Sequence, residues 1–309
     1  MQDLLNAVPS AQFVVRPATP LVAAPAPEGI MRNSRLYSNT RYVYTVISQR
    51  ARGLSIGINL NPDKACNFDC LYCEIDRNLK GSNSRIDISE LRAELERTIL
   101  LAATEQIRGF APYQSVPADL LKLQEVALSG DGEPTLSPQF NEVVETAVHL
   151  RAASDLPFFK IVLITNATGL DSPAVQEGLK LFTSADEIWA KIDAGSQNYF
   201  QQINQPGDLC ELSLARILQN ILALAKVRPV IIQSLFCAVD GIGPSEVEIE
   251  AYAQRLAVLK AGGAQIPLVQ IYSAHRPAIR RNVTHLPLKV LSQIAQRVRQ
   301  VSGLKAEVF

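Results

Sequence analysis

GLSIGINLNPDKACNFDCLYC, residues 53–73, runs an apolar segment into three cysteines at positions 66, 70 and 73, and its reading decides the fold. Gly53–Leu60 has the length and apolar content of a strand. Three thiols within eight residues directly after it can converge on one metal centre. Thiolates are soft ligands that suit zinc or iron–sulfur clusters. A structural zinc site wants four protein ligands. The nearest histidine is His149, and the other cysteines are Cys210 and Cys237. Three ligands instead suit a four-iron cluster with one iron open to a small molecule. Five cysteines, three of them crowded together, do not resemble a disulfide framework, so a reducing cytoplasm is expected.

Working outward, further strands are expected at Glu125–Ser129, Lys160–Thr165, Glu187–Asp193, Val230–Cys237 and Leu268–Ser273. Amphipathic helices fall between them. Ile88, Leu91, Leu95 and Ile99 share one helical face, with Asp87 as N-cap and Glu90 three residues on. Phe140, Val143, Val144 and Ala147 share another, after Ser137-Pro138. Pro244 and Pro287 are expected to open two more at the first helical position. Six strands alternating with helices give an α/β fold with parallel strands, either barrel-like or doubly wound.

Other signals collect at strand ends. Ser129-Gly130-Asp131-Gly132-Glu133-Pro134 follows the second strand. Glycines there allow backbone to approach a ligand, although a Gly-Asp-Gly turn is common by itself. Thr165-Asn166 closes the third strand and reads equally as turn chemistry. Trp189, Lys191 and Asp193 share one strand face, and Gln233, Gln270 and Tyr272 oppose apolar neighbours on later strands. Inward polar groups are costly unless bonded, so they line a ligand cavity or form an internal network. Chemistry at the C-terminal ends of strands favours the barrel.

On these residues the chain resembles the radical S-adenosylmethionine (SAM) superfamily. Cys66, Cys70 and Cys73 match its C-x3-C-x2-C loop, with Tyr72 at the aromatic position. Residues 130–133 match its glycine–glutamate–proline motif with Asp131 intervening. The likeness runs over about residues 50–280 and is greatest to the wyosine-synthase-like group. Gly57-Ile58-Asn59-Leu60, the run Ser129–Leu136 and Val269-Gln270-Ile271-Tyr272 carry it. The resemblance implies a partial (β/α)6 barrel over residues 36–309 with a C-terminal helical extension. It implies that the three cysteines hold a [4Fe–4S] cluster and that SAM binds the open iron. There it is cleaved to a 5′-deoxyadenosyl radical that takes hydrogen from a nucleotide, an RNA base or a small molecule. Tyr72 would lie against the adenine, and Gly130, Asp131, Gly132 and Glu133 at the methionyl end. Asn166, Lys191, Asp193 and Gln233 are candidates for ribose, carboxylate or substrate. A flavodoxin or ferredoxin is the implied reductant. The competing class is a non-catalytic regulatory protein with a three-cysteine zinc or iron–sulfur site.

Composition bounds the partners. Thirty basic residues balance 30 acidic ones, which removes the global positive field of a dedicated nucleic-acid binder. The basic cluster His275, Arg276, Arg280, Arg281 and His285 reads either as an anion site or as a solvated loop. Residues 1–35 carry five prolines between Pro9 and Pro27 and read as a flexible tail outside the core. Ile217–Val239 is the most apolar stretch, and Gln219, Asn220, Lys226, Arg228 and Pro229 break it, so no membrane span is expected.

Overall fold

The computed structural model describes residues 40–79, 81–82, 85–153, 156–207, 212–274, 278–280 and 282–309. The expected tail, Cys210, His275, Arg276 and Arg281 lie outside the described residues. Ten strands are present among those described: β1 Val43–Ser48, β2 Gly53–Asn59, β3 Leu123–Ser129, β4 Lys160–Thr165, β5 Glu187–Lys191, β6 Ile231–Leu235, β7 Cys237–Val239, β8 Val269–Tyr272, β9 Val283–His285 and β10 Ala306–Val308. The helices are α1 Ile88–Ala103, α2 Phe140–Ala153, α3 Pro173–Leu179, α4 Gln197–Asn204, α5 Leu214–Val227, α6 Glu246–Ala261 and α7 Leu288–Ser302.

One curled sheet takes the order β1-β2-β3-β4-β5-β6-β8-β10. The six expected strands are its parallel core, β2 to β6 and β8. β10 extends it in parallel beside β8, and β1 folds back antiparallel on β2. This is a half-barrel of the expected type with an added strand at each edge. β7 and β9 form a separate antiparallel ribbon.

Alternation along the strands builds two layers. Ile56, Ile58, Val126, Leu128, Ile161, Leu163, Ile188, Ile232, Val269 and Ile271 face outward into one core with Leu91, Leu95, Val143, Val144, Leu256 and Ile294 of the helices. Each such side chain contributes about 1.5–3 kcal/mol on burial. The inward set forms a smaller lumen cluster of Ala127, Val162, Trp189 and Ile231. Trp189 is 1% exposed and fills the lumen, with its indole N–H on Glu187 at 2.8 Å. The inward polar residues of the next layer therefore sit above a solid floor.

Three helix starts differ in detail from expectation. Asp87 does cap α1, accepting from the Ser89 and Glu90 amides, but the Glu90 side chain pairs with Arg41 instead of closing a capping box. Ser245, not Pro244, caps α6, and Pro287 is itself the cap residue of α7. Proline occupies the first turn at Pro173 of α3. The β1 edge is held by Glu94 of α1, whose carboxylate accepts the amides of Arg41, Tyr42 and Val43 at 2.6, 2.9 and 3.1 Å.

A buried ion pair ties α2 to the loop before β5. Arg151 meets Asp186 in a two-pronged bond at 2.5 and 3.1 Å, and the amides of Ile161 and Thr183 also donate to Asp186. Burial pushes the Asp186 carboxyl up, but Arg151 and the two amides outweigh it and hold it below the usual range. A depressed folded value places the stabilisation above the unfolded value of about 3.9, and acid removes it below that pH. Asp186→Asn is expected to lose about 3 kcal/mol at neutral pH, in line with other broken buried pairs. The gap from wild type should narrow below about pH 4, where Asp186 titrates. Denaturant midpoints across pH read this out, and a gap that is constant down to low pH would contradict it.

Candidate functional site

The cysteine loop leaves the end of β2 and crosses the mouth of the half-barrel. Both of its sides are tied down. Ala65 accepts the Glu133 amide at 3.2 Å. On the far side the Asp69 and Leu71 amides donate to the carbonyls of Gln205 and Ile203, at 3.0 and 2.8 Å. Phe68 packs edge-on against Phe200 of α4, ring centres 5.5 Å apart. The three thiols are half-buried, are not disulfide-bonded, and line one cleft with Ser129, Gly130, Gly132, Glu133 and Lys191. The cleft holds about 850 Å³ of space free of protein atoms and continuous with solvent.

The glycine motif is shaped by the cysteine loop. A Cβ on Gly132 would come within 1.8 Å of the Ala65 carbonyl oxygen. Gly130 adopts φ +135°, where L side chains are strained. Gly132 lets the loop after β3 close on the cysteine loop and Gly130 lets it close on Asn59 at the end of β2, while the backbone of both lines the cleft. Asp131 turns away from the cleft to accept the Asn59 amide at 3.0 Å. Glu133 is buried and accepts from Thr135 Oγ1 (2.7 Å), Thr165 Oγ1 (2.5 Å) and the Asn166 amide (2.7 Å). Burial raises its pKa against those donors. Asn166 spends its side chain on Asn67 at 2.8 Å and on Thr168, so Thr165-Asn166 pins the cysteine loop to β4.

Beneath the cysteines lies a second polar group. Asp193, 3% exposed, accepts from Lys191 Nζ at 3.2 Å, the Leu235 amide at 2.8 Å, Asn204 Nδ2 at 2.9 Å and the Tyr72 hydroxyl. Its lone pairs are spent, which makes it a holder of Tyr72 and Lys191. Burial pulls the Lys191 ammonium down, but Asp193 and Tyr272 outweigh it and hold it charged, above its ordinary range. Lys191 also stands 5.1 Å from the centre of the Tyr72 ring. Burial, then Asp193, raises the Tyr72 phenol well above its usual value. Gln233 does not reach the cleft wall. It pairs in register with Lys191 and meets Gln270 and the Tyr272 hydroxyl at 3.4 Å each, as an internal network. Of the basic cluster, Arg280 is spent on Asp69 at 2.6 Å and Gln205 at 2.8 Å, which fastens residues 278–280 to the cysteine loop.

Sequence reading missed Arg77 and Asn204. Arg77 lines the cleft and donates to Cys73 Sγ at 3.7 Å. Asn204, the last residue of α4, donates to Cys70 Sγ at 3.6 Å. Arg77 follows the last cysteine by four residues and was visible as a nearby cation, whereas nothing local marks Asn204.

Among the described residues no three His, Cys, Asp or Glu side chains lie close enough together to hold a single metal ion. A four-iron cluster spreads its ligands wider than one ion does, so three thiols without a fourth ligand fit a cluster better than tetrahedral zinc. Burial pushes Cys66 up to about 11 and Cys70 up to about 12, so both thiols are neutral until metal displaces their protons.

A parallel half-barrel with a three-cysteine loop across the C-terminal ends of its strands defines the radical SAM fold. Solved structures share it. A radical SAM methyltransferase from Sphaerobacter thermophilus aligns with TM-score 0.58 at 13% identity, over 86% of this chain and 68% of that one. Streptococcus suis SuiB bound to S-adenosylmethionine gives 0.54 at 14%, over 84% and 52%. TYW1 with a lysine-pyruvate adduct bound gives 0.53 at 14%, over 88% and 82%. At these identities the likeness is one of fold. By sequence the chain is similar to UPF0026 protein slr1464 of Synechocystis, 29% identical over 180 residues, covering 58% of this chain and 57% of that protein. A UPF0026 protein of Helicobacter pylori is 27% identical over 61% of this chain and 53% of its own length. The match thus spans little more than half of these relatives. No protein-family model matches the chain. No helix among the described residues is long and apolar enough to cross a membrane.

Proposed function

We propose that the chain is a radical SAM enzyme, with Cys66, Cys70 and Cys73 holding a [4Fe–4S] cluster at the mouth of the half-barrel. The observation that carries this reading is the convergence of three unpaired thiols and a glycine-rich backbone wall on one cleft. When bound, the cluster supplies an electron to the SAM sulfonium, and the resulting 5′-deoxyadenosyl radical supplies hydrogen abstraction. The chain's own part is placement. Gly130 and Gly132 give backbone close to the cysteines for the methionyl end. Glu133 and Asn166 hold the walls, and Asp131 braces Asn59. Tyr72 stacks at the nucleoside side, kept in place by Asp193. Lys191, held as an ammonium at the cleft wall, offers an anchor for an anionic group on the substrate. That suits a nucleotide or RNA base and equally a carboxylate-bearing small molecule. Gln233, in register with Lys191, supports that anchor through their shared contact with the Tyr272 hydroxyl. A flavodoxin or ferredoxin delivers the electron, and the cytoplasm is the compartment compatible with an oxygen-labile cluster.

Reconstitution with iron and sulfide under anaerobic conditions tests the reading. The expected product is a brown protein that, with dithionite and SAM, releases 5′-deoxyadenosine. A colourless zinc protein, or a reduced cluster that leaves SAM intact, would falsify it.

A further inference from the structure

Each thiol of the loop faces a different hydrogen-bond donor. The Phe68 amide serves Cys66, the Asn204 amide group serves Cys70, and the Arg77 guanidinium serves Cys73. Cys70 also meets the Tyr72 hydroxyl and feels the Lys191 ammonium, but only at Cys73 does the donor itself carry the charge. Arg77 is also held by two backbone carbonyls. Its Nη1 donates to the Lys64 carbonyl at 2.5 Å and to the Asp131 carbonyl at 3.2 Å, so it bridges the cysteine loop and the glycine loop. Both acceptors are neutral, so neither cancels its charge. Its Nε is buried without a protein partner. Its field also reaches Cys66.

We propose that Arg77 sets the reduction potential of the cluster, holding a fixed positive charge and an N–H against Cys73 Sγ. The inference rests on the radical SAM reading above. Reduction adds a negative charge to the cluster. A cation and an N–H donor on a ligand sulfur stabilise that reduced form more than the oxidised one, and so raise the potential. The two carbonyl clamps keep the charge in place during the electron transfer, with no reorientation of the side chain. Asn204 acts in the same direction but more weakly, since its Nδ2 is shared with Tyr72 and Asp193. Arg77 is therefore a positioning and tuning residue rather than a catalytic one.

The test is a potentiometric titration of reconstituted protein, followed by electron paramagnetic resonance of the reduced cluster. Arg77→Gln is expected to shift the one-electron equilibrium about tenfold toward the oxidised form, which is about 59 mV more negative. Arg77→Lys keeps the charge but loses the fork, and should fall between the two. A potential for Arg77→Gln within about twofold of wild type on that scale overturns the inference. If Arg77→Gln retains no cluster, the Arg77→Lys potential decides, and an unshifted value overturns it. If neither variant retains a cluster, the residue acts in retention and the inference is likewise overturned. A wild-type protein that binds no cluster strikes the functional reading itself. A wild-type cluster with unshifted variants strikes only this inference.

Discussion

Cys70→Ala is expected to yield a folded, colourless protein that produces no 5′-deoxyadenosine. Cys70 is half-buried at the cleft wall, and its thiol bonds weakly to Asn204 at 3.6 Å. Replacing it removes no large apolar volume, so the apo protein should melt within a few degrees of apo wild type; a change near 1 kcal/mol moves a domain of this size by about 2–4 °C. The metal side of the comparison is different in kind. Two thiolates cannot hold a cubane that three hold. Any group that binds only the native state raises its stability by mass action, so reconstituted wild type should melt well above its apo form, and Cys70→Ala should show no such increment. Two measurements check this: absorbance near the thiolate-to-iron bands after anaerobic reconstitution, and melting with and without iron and sulfide. Global unfolding of the variant in the absence of metal would mean that the loop serves the fold rather than a cofactor.

The parts of this architecture that were legible in the sequence are those with a local signature. Strands β2 to β6 and β8 show as apolar runs because both of their faces are covered, and the helices show because Leu91, Leu95 and Ile99 recur at helical spacing. β1 is not among the expected strands although Val43-Tyr44-Thr45-Val46-Ile47 has the β-branched and aromatic content of one; what holds it at the edge is Glu94, 51 to 53 positions away in sequence. β7, β9 and β10 have three residues each and exist only through partners distant in the chain. At the site, the cysteine and glycine loops could be read because their residue types are unusual at that spacing. What the other polar residues do there could not be read. Asn166, Glu133 and Asp193 have the right chemistry for ligand contact, yet the fold consumes their hydrogen bonds in bracing two loops, and that exchange depends on Asn67, Thr168 and Asn204 arriving from other elements. Gln233, two residues along β6 from the lumen floor at Ile231 and in register with Lys191, is consumed in the same way by Gln270 and the Tyr272 hydroxyl, partners from another strand that sequence alternation does not reveal.

Asp193→Ala is expected to be the most destabilising single change at the site. The carboxylate accepts from four groups that come from four parts of the chain: Tyr72 of the cysteine loop, Lys191 at the end of β5, Asn204 at the end of α4 and the Leu235 amide at the end of β6. Removing it leaves the Lys191 ammonium, 18% exposed in its side chain, with the Tyr272 hydroxyl at 3.1 Å and no anionic partner from this pair. It also strands a buried amide and a buried phenol. Breaking a buried ion pair from one side costs about 3–5 kcal/mol, because the remaining charge stays desolvated. Two consequences separate this from a mere loss of packing. First, Asp193 now holds Lys191 charged against the pull of burial, so in the alanine variant the ammonium should give up its proton at lower pH, and the variant should recover stability as pH rises. Second, adding Lys191→Met to Asp193→Ala should restore part of the loss, since the unpaired charge is gone, and the pair should show strong non-additivity in a double-mutant cycle. Urea midpoints of the four proteins measure both. Additive losses, or an alanine variant within about 1 kcal/mol of wild type, would mean that the network is incidental and that Tyr72 is fixed by the loop alone.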